Sequence, residues 1–291
     1  MLVSRRRSAL REGVFLSTDA FVTRTFRLHH VHNRGVVSDD LLHLRAFPRR
    51  GFLHRPVVTV VLEGAALFRG MEGGAWLEPG DVAVFAEKAE VAMRQSRDGE
   101  PYRTLVFEWD GSVDATRLRA GRVDDLAALR GLGDALLSAS DPLPVVRAIV
   151  GHLGAIAPVP AELATEPVPA RTVALVAALD EVLSNLRESP MTNDVLDAVA
   201  LSPRQLGRVV PELHRDYGFN AEGWRDARNR RRVMFGATFM SAEGATVAEV
   251  AEAVGYGSAE AFTHALGALG LPTPREIPAV LRGLAMAETI R

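Results

Sequence analysis

Arg204 and Arg208 stand four residues apart behind Ser202-Pro203, and Glu260, Thr263 and His264 follow Ser258 in a similar way. These residue types suit contact with nucleic acid. Arg pairs with phosphate or guanine, Glu accepts a hydrogen bond from cytosine, and the Thr methyl packs on thymine. Separations of three or four residues put such side chains on one face of a helix, and an α-helix fits the major groove, where base edges are distinguishable. Ser202, Arg204, Gln205, Arg208, Ser258, Glu260, Thr263 and His264 are therefore the candidate contacts, with Arg228 between the two groups.

Each group belongs to a pair of short helices. Leu196 to Ala200 reads as one helix, Leu201 to Pro203 as a break whose Ser caps the next helix, and Leu206 as the buried residue of that next helix. The pattern repeats at Val247, Val250 and Ala251, with a break at Val254-Gly255-Tyr256-Gly257, a capping Ser258, and Phe262 on the second helix. This is helix-turn-helix spacing, met twice. A longer helix over about 220–240 joins the two and carries Arg225, Arg228, Arg230, Arg231 and Arg232. Five bases cannot all face one groove, so part of that helix is an ordinary solvated face. Residues 201–240 hold eight Arg against four acids, whereas 241–291 hold three Arg against six acids. Long-range attraction to a polyanion is therefore concentrated on the first unit and the joining helix.

The run Ala200-Leu201-Ser202-Pro203-Arg204-Gln205-Leu206-Gly207-Arg208 and the run Val247 to Phe262, closed by Pro274, resemble the AraC/XylS-type transcriptional regulators. The resemblance covers roughly residues 171–284. It implies promoter DNA as partner, two helix-turn-helix units on either side of a linking helix, and an N-terminal cupin-like barrel that senses a small molecule or mediates dimerisation. Gly64 and Pro79-Gly80-Asp81 are similar to turns of that barrel. His264, Gly267 and Ala268 depart from the family's more basic pattern, as do Ile277 and Pro278 at the close.

The chain has 291 residues, 47% hydrophobic, 24% charged, with a net charge of −2 and no Cys. That length suits two domains, and the absence of Cys excludes disulfide scaffolds, thiol nucleophiles and Cys-ligated zinc. No secretory signal follows Arg5, Arg6, Arg7 and Arg11, and no long apolar run occurs, so a cytoplasmic protein without membrane contact is expected. Residues 1–19 are set apart as an arm. Residues 20–110 read as a cupin-like β domain, with strands at Val57–Leu62, Val82–Phe85 and Leu105–Trp109. Residues 111–157 read as helical support, where the apolar stripe Val145, Ile149, Leu153 and Ile156 suggests a homodimer face. Four prolines make 158–170 an extended linker, and 171–291 is the all-α DNA-binding part, giving an α+β two-domain fold.

His29, His30, His32, His43 and His54 are the possible metal ligands, but where the resemblance would place a His-x-His pair, just before the Val57 strand, the chain has His54 alone, so no metal and no cofactor is expected. No Gly-rich phosphate loop or nucleophile elbow appears, and a non-enzymatic role follows. Phe47, Phe52, Trp76 and Met93 are candidates for lining an effector pocket in the barrel. RNA polymerase is a possible further partner of a regulator. Two rival readings are a regulator-like protein acting through protein contacts, because the second unit is acidic, and a cupin-type enzyme.

Overall fold

The computed structural model describes residues 1–42, 53–70, 73–188, 192–217 and 223–286. Among the described residues eleven strands come first: β1 (Leu2–Arg11), β2 (Val14–Val22), β3 (Phe26–Arg34), β4 (Ser38–Asp39), β5 (Val57–Glu63), β6 (Ala66–Gly70), β7 (Gly73–Leu77), β8 (Asp81–Phe85), β9 (Ala92–Gln95), β10 (Tyr102–Trp109) and β11 (Arg117–Arg122). They build a seven-stranded antiparallel sheet in the order β1-β2-β3-β10-β5-β8-β11 and a four-stranded sheet in the order β4-β9-β6-β7. Helices follow: α1 (Leu126–Ser138), α2 (Leu143–Gly154), α3 (Ala170–Ser184), α4 (Thr192–Val199), α5 (Pro203–Tyr217), α6 (Trp224–Phe239), α7 (Val247–Ala253), α8 (Ala259–Ala268) and α9 (Ile277–Met286). The fold is thus an N-terminal antiparallel sheet domain with a C-terminal helical region.

β5 reads Val-Val-Thr-Val-Val-Leu-Glu because both of its faces are covered. Val58, Val60 and Leu62 pack with Leu105, Phe107, Val82 and Val84 against Leu129, Leu136, Val146 and Ile149 of α1 and α2. Val57 and Val61 face the other way, toward Phe68, Phe85 and Tyr102 and the smaller sheet. The turn into β6 needs glycine. Gly64 has φ +71, and a Cβ there would stand 2.3 Å from the Pro101 carbonyl oxygen.

Residues 1–19, expected as an arm, instead form β1 and much of β2, paired from Leu2↔Val22 to Arg11↔Val14. The alternation of Leu2, Ser4, Ser8 and Leu10 with exposed residues is a strand signal that the run of arginines obscures. Residues 111–157 are not purely helical, because β11 pairs with β8 before α1 begins. The stripe on α2 is spent inside the chain: Ile149 and Leu153 are buried in the barrel core, and Val145 and Ile156 pack against it. It therefore offers no free dimer face. Residues 158–169 carry neither helix nor strand and α3 starts at Ala170. This segment lies on the barrel, with Leu163 in the core, Thr25 Oγ1 donating to the Ala164 carbonyl at 3.0 Å, and Arg24 paired with Glu166 at 3.1 Å.

α5 extends beyond the expected end near residue 210, passing through Pro211. A proline inside a helix costs about 3 kcal/mol. Val210, Leu213 and Tyr217 are all buried with Leu206, and burying such side chains contributes about 1.5–3 kcal/mol each, so packing wins. Among the described residues no helix is long and apolar enough to cross a membrane.

Candidate nucleic-acid interface

The first unit consists of α4 and α5. Ala200 turns the chain at φ +49, and the Leu201 amide donates to the Leu196 carbonyl at 3.3 Å, closing α4. Ser202 and Gln205 then satisfy each other. The Gln205 amide donates to Ser202 Oγ at 3.3 Å, and the Ser202 amide donates to Gln205 Oε1 at 2.8 Å. This reciprocal cap uses both side chains to start α5. Leu206 faces the core, while Arg204 and Arg208 face solvent. Arg204 has no ion-pair partner among the described residues. Arg208 lies 3.8 Å from Glu212, one turn on, in an exposed pair that competes weakly with phosphate.

The second unit consists of α7 and α8. Thr246 and Glu249 form another reciprocal cap at the start of α7, at 3.2 Å and 3.5 Å. Gly255, at φ +78, makes the turn, and the Tyr256 amide returns to the Ala251 carbonyl at 2.8 Å. Ser258 Oγ accepts from the Ala261 amide at 3.1 Å and so caps α8. Thr263 Oγ1 donates to the Ala259 carbonyl at 2.8 Å, which ties its hydroxyl to the helix. Glu260 and His264 remain exposed. Hydrogen bonds from its own backbone and from Ser258 hold the Glu260 carboxyl below the usual range, so it stays ionised at the helix start.

The joining helix α6 divides the five bases that the sequence groups together. Arg225 is exposed, and Arg230 pairs with Asp226 at 2.7 Å. Arg231 lies over the Phe235 ring at 4.1 Å and donates to the Leu183 carbonyl at 2.8 Å. Arg232 is buried. Its Nε donates to the Val254 carbonyl at 2.7 Å, its Nη2 reaches the Gly255 carbonyl, and its guanidinium lies 3.9 Å from the Tyr256 ring centre. Arg231 and Arg232 are thus structural, and the bond from Arg232 sets the turn of the second unit against α6. Arg228 is partly buried beside Arg232 and Tyr256.

Two residues that position these units went unread in the sequence. Gly236 lies in α6 where a Cβ would stand 2.4 Å from the Phe262 ring, so only glycine admits the α8 anchor. Asp180 is buried on α3 and accepts from Ser4 Oγ, the Arg5 amide and Arg6 Nε at 2.8, 2.8 and 2.6 Å. Its signal was a lone acid among Val176, Leu179 and Leu183 on an apolar helix face.

The barrel candidates separate. Leu67 pairs with Trp76, and Phe68 with Met93. Neighbouring residues on a strand face opposite ways, so Trp76 and Met93 project from opposite faces of the smaller sheet and do not line one pocket. Met93 turns inward, with Tyr102 Oη 3.8 Å from its sulfur, and Trp76 lies 4.7 Å from the Arg97 guanidinium. Phe47 and Phe52 lie outside the described residues. Of the histidines, His29 faces Glu108 at 3.7 Å, His30 is buried on the face toward α1, and His32 packs edge-on to Phe15 at 4.8 Å. His54 is exposed, and His43 lies outside the described residues. Among the described residues no three of His, Cys, Asp or Glu gather as a metal site. A cleft of about 640 Å³ lies between α2 and residues 159–163, and another of about 550 Å³ lies between the end of α6 and Pro274–Arg282.

No family model matches the chain, and no curated protein matches it. Solved structures do. ToxT from Vibrio cholerae O395 is 10% identical with a TM-score of 0.35, covering 88% of this chain and 98% of that one. Unsaturated fatty acid bound wild-type ToxT from Vibrio cholerae strain SCE256 is 10% identical with a TM-score of 0.34, covering 88% and 95%. An ethanolamine utilization protein Q from Salmonella typhimurium is 14% identical with a TM-score of 0.25, covering 38% and 96%.

Proposed function

We propose that this chain is a sequence-specific DNA-binding transcriptional regulator, without enzymatic activity, whose N-terminal domain answers to a small effector. The observation that carries the reading is the pair of capped helix-turn-helix units whose recognition helices, α5 and α8, keep Arg204, Arg208, Glu260 and His264 exposed. Ser202, Gln205, Ser258 and Thr263 support those helices through local hydrogen bonds, leaving the longer side chains to meet DNA. The first unit supplies affinity through arginine and phosphate. The second adjusts specificity, because an ionised Glu260 repels phosphate and is tolerated only where it meets a base donor. An effector acts by binding one arrangement of the domains better than another.

The test is fluorescence anisotropy on duplexes from the chain's own upstream region against scrambled duplex, across several salt concentrations. Specific binding that weakens with salt, and is lost in Arg204→Ala and Arg208→Ala, supports the reading. Folded protein that binds no DNA at low salt counts against it. That outcome favours a regulator acting through protein contacts, in keeping with the acidic second unit, or one that binds DNA only with its effector.

A further inference from the structure

The hairpin β1–β2 has an apolar foot at each end, one on α3, which packs against the first helix-turn-helix unit, and one on the second unit. At its open end, Leu2, Ala20 and Val22 pack with Leu175, Leu179 and Leu183 of α3 and share their core with α5. At its turn end, Leu10 and Leu16 join the core of α7 and α8. Polar bonds repeat the division. β1 is the edge strand of its sheet, so its outward amides lack a strand partner. Asp180 takes the Arg5 amide together with Ser4 Oγ and Arg6 Nε, and Ser184 Oγ takes the Arg7 amide at 3.3 Å. Four to seven residues further along, Arg11 Nη1 meets both Glu249 oxygens at 2.8 and 2.9 Å, and its Nη2 reaches the Glu243 carbonyl. At about 3.3 Å per residue the two attachments lie roughly 13–23 Å apart along one strand. Helix α6 is another strut between the units, with Trp224 in one core and Val233, Ala237 and Phe239 in the other, and Arg187 adds a link to Glu252 of α7 at 3.6 Å.

All of these bonds fall on α3, the α6–α7 turn and the first turn of α7. None falls on the exposed side chains of α5 or α8, so the hairpin holds the first unit through α3 and the second directly, without covering either recognition face. We infer that β1–β2 is a splint that fixes the separation and orientation of the two helix-turn-helix units, with Asp180 and the Arg11–Glu249 pair as its positioning residues. It thereby sets which spacing of half-sites the chain can read. The statement about spacing rests on the DNA-binding reading, whereas the statement about separation does not.

The chain has no Cys, so two labels can be introduced without removing any native thiol. Spin labels at Ala198→Cys and Ala268→Cys, both exposed and away from the hairpin, report the distance between the units by pulsed electron resonance. The otherwise unaltered full chain is expected to give one narrow distance peak. Arg11→Glu combined with Asp180→Asn broadens it at least twofold, Arg11→Glu alone broadens it less, and Arg11→Lys leaves it narrow. Thermal melts and circular dichroism establish that each labelled protein is folded. An unchanged width in folded Arg11→Glu/Asp180→Asn overturns the splint, and so does an equally unchanged width in Arg11→Glu should the double variant not fold.

A second readout uses a bipartite site selected from random duplexes by the wild-type chain. Arg11→Glu/Asp180→Asn is expected to bind it about tenfold more weakly, the scale of a lost preorganisation, and to discriminate less against a two-base-pair insertion between the halves. Tighter binding by the variant overturns the statement about spacing, because it would make the hairpin a restraint on binding, whereas the statement about separation is decided by the distance peak. A narrow peak that broadens in the variants, in a chain that selects no DNA, supports the splint and removes the DNA-binding reading.

Discussion

Gly236 and Phe262 touch so closely that a methyl on the glycine would lie 2.4 Å from ring Cε2 and 2.7 Å from Cζ. Gly236→Ala improves intrinsic helix propensity by up to about 1 kcal/mol, yet overpacking of this kind costs about 1–3 kcal/mol or more. The expected net effect is a lower urea midpoint with an unchanged slope, and partial recovery when Phe262→Leu is added. A higher midpoint in Gly236→Ala would show that the contact is slack.

Arg232→Met should destabilise the C-terminal region by about 2–3 kcal/mol, because it removes charged hydrogen bonds to two carbonyls in a buried place. Lys is not expected to substitute. A single ammonium cannot span the Val254 and Gly255 carbonyls while stacking on Tyr256. Denaturant melts of Arg232→Met and Arg232→Lys, falling within a few tenths of each other, would bear this out.

The capping residues and the exposed arginines should respond differently. Ser202→Ala removes a helix cap and costs about 1 kcal/mol of stability, with little change in the salt slope of DNA binding. Arg204→Ala leaves stability within about 0.5 kcal/mol and reduces the salt slope by about one. Anisotropy titrations and thermal melts on the same two proteins separate these effects, and a steeper loss of DNA affinity in Ser202→Ala would reverse the assignment.

His30 makes the barrel sensitive to acid. It is buried, and burial together with the Arg103 guanidinium, whose Nη2 lies 3.5 Å from its Nε2, lowers its pKa from 6.5 to about 4. The unfolded chain takes up a proton near pH 6.5 while the folded chain stays neutral, so stability is full above that pH and falls as the pH drops toward 4. His29 and His32 are lowered by burial too and act in the same direction. Between pH 7 and pH 5 His30 alone accounts for about 2 kcal/mol, and His30→Leu should flatten that part of the profile in urea melts.

The helical half was legible because its signals are local. Ser202, Ser258 and Gly255 mark ends and turns, and Leu206 and Phe262 fall at the buried positions that their spacing implies. The β5, β8 and β10 strands were legible for the same reason, being short apolar runs between turns. What escaped depends on partners far away in the chain. Asp180 is 176 residues from Ser4, and Arg232 is told apart from Arg225 only by the Val254 and Gly255 carbonyls that it meets. The stripe on α2 was read correctly as apolar, but a period of 3.6 says that a face is covered and not by what. Trp76 and Met93 lie on opposite faces because their strands pair through Leu67 and Phe68, and that register is invisible without the sheet.

Residues 158–169 have the composition of a tether, yet Leu163, Ala164 and Glu166 are fastened to the barrel. The halves on either side therefore do not form an exchangeable cassette. A helical half severed at residue 170 would bare Leu175, Val176 and Leu179 to water, and one grafted onto another sensor would meet a sheet edge without Leu2, Ala20 and Val22 to receive them. Descent by domain shuffling would demand a matched change on both sides of this seam, so the two parts of the chain should have diverged together.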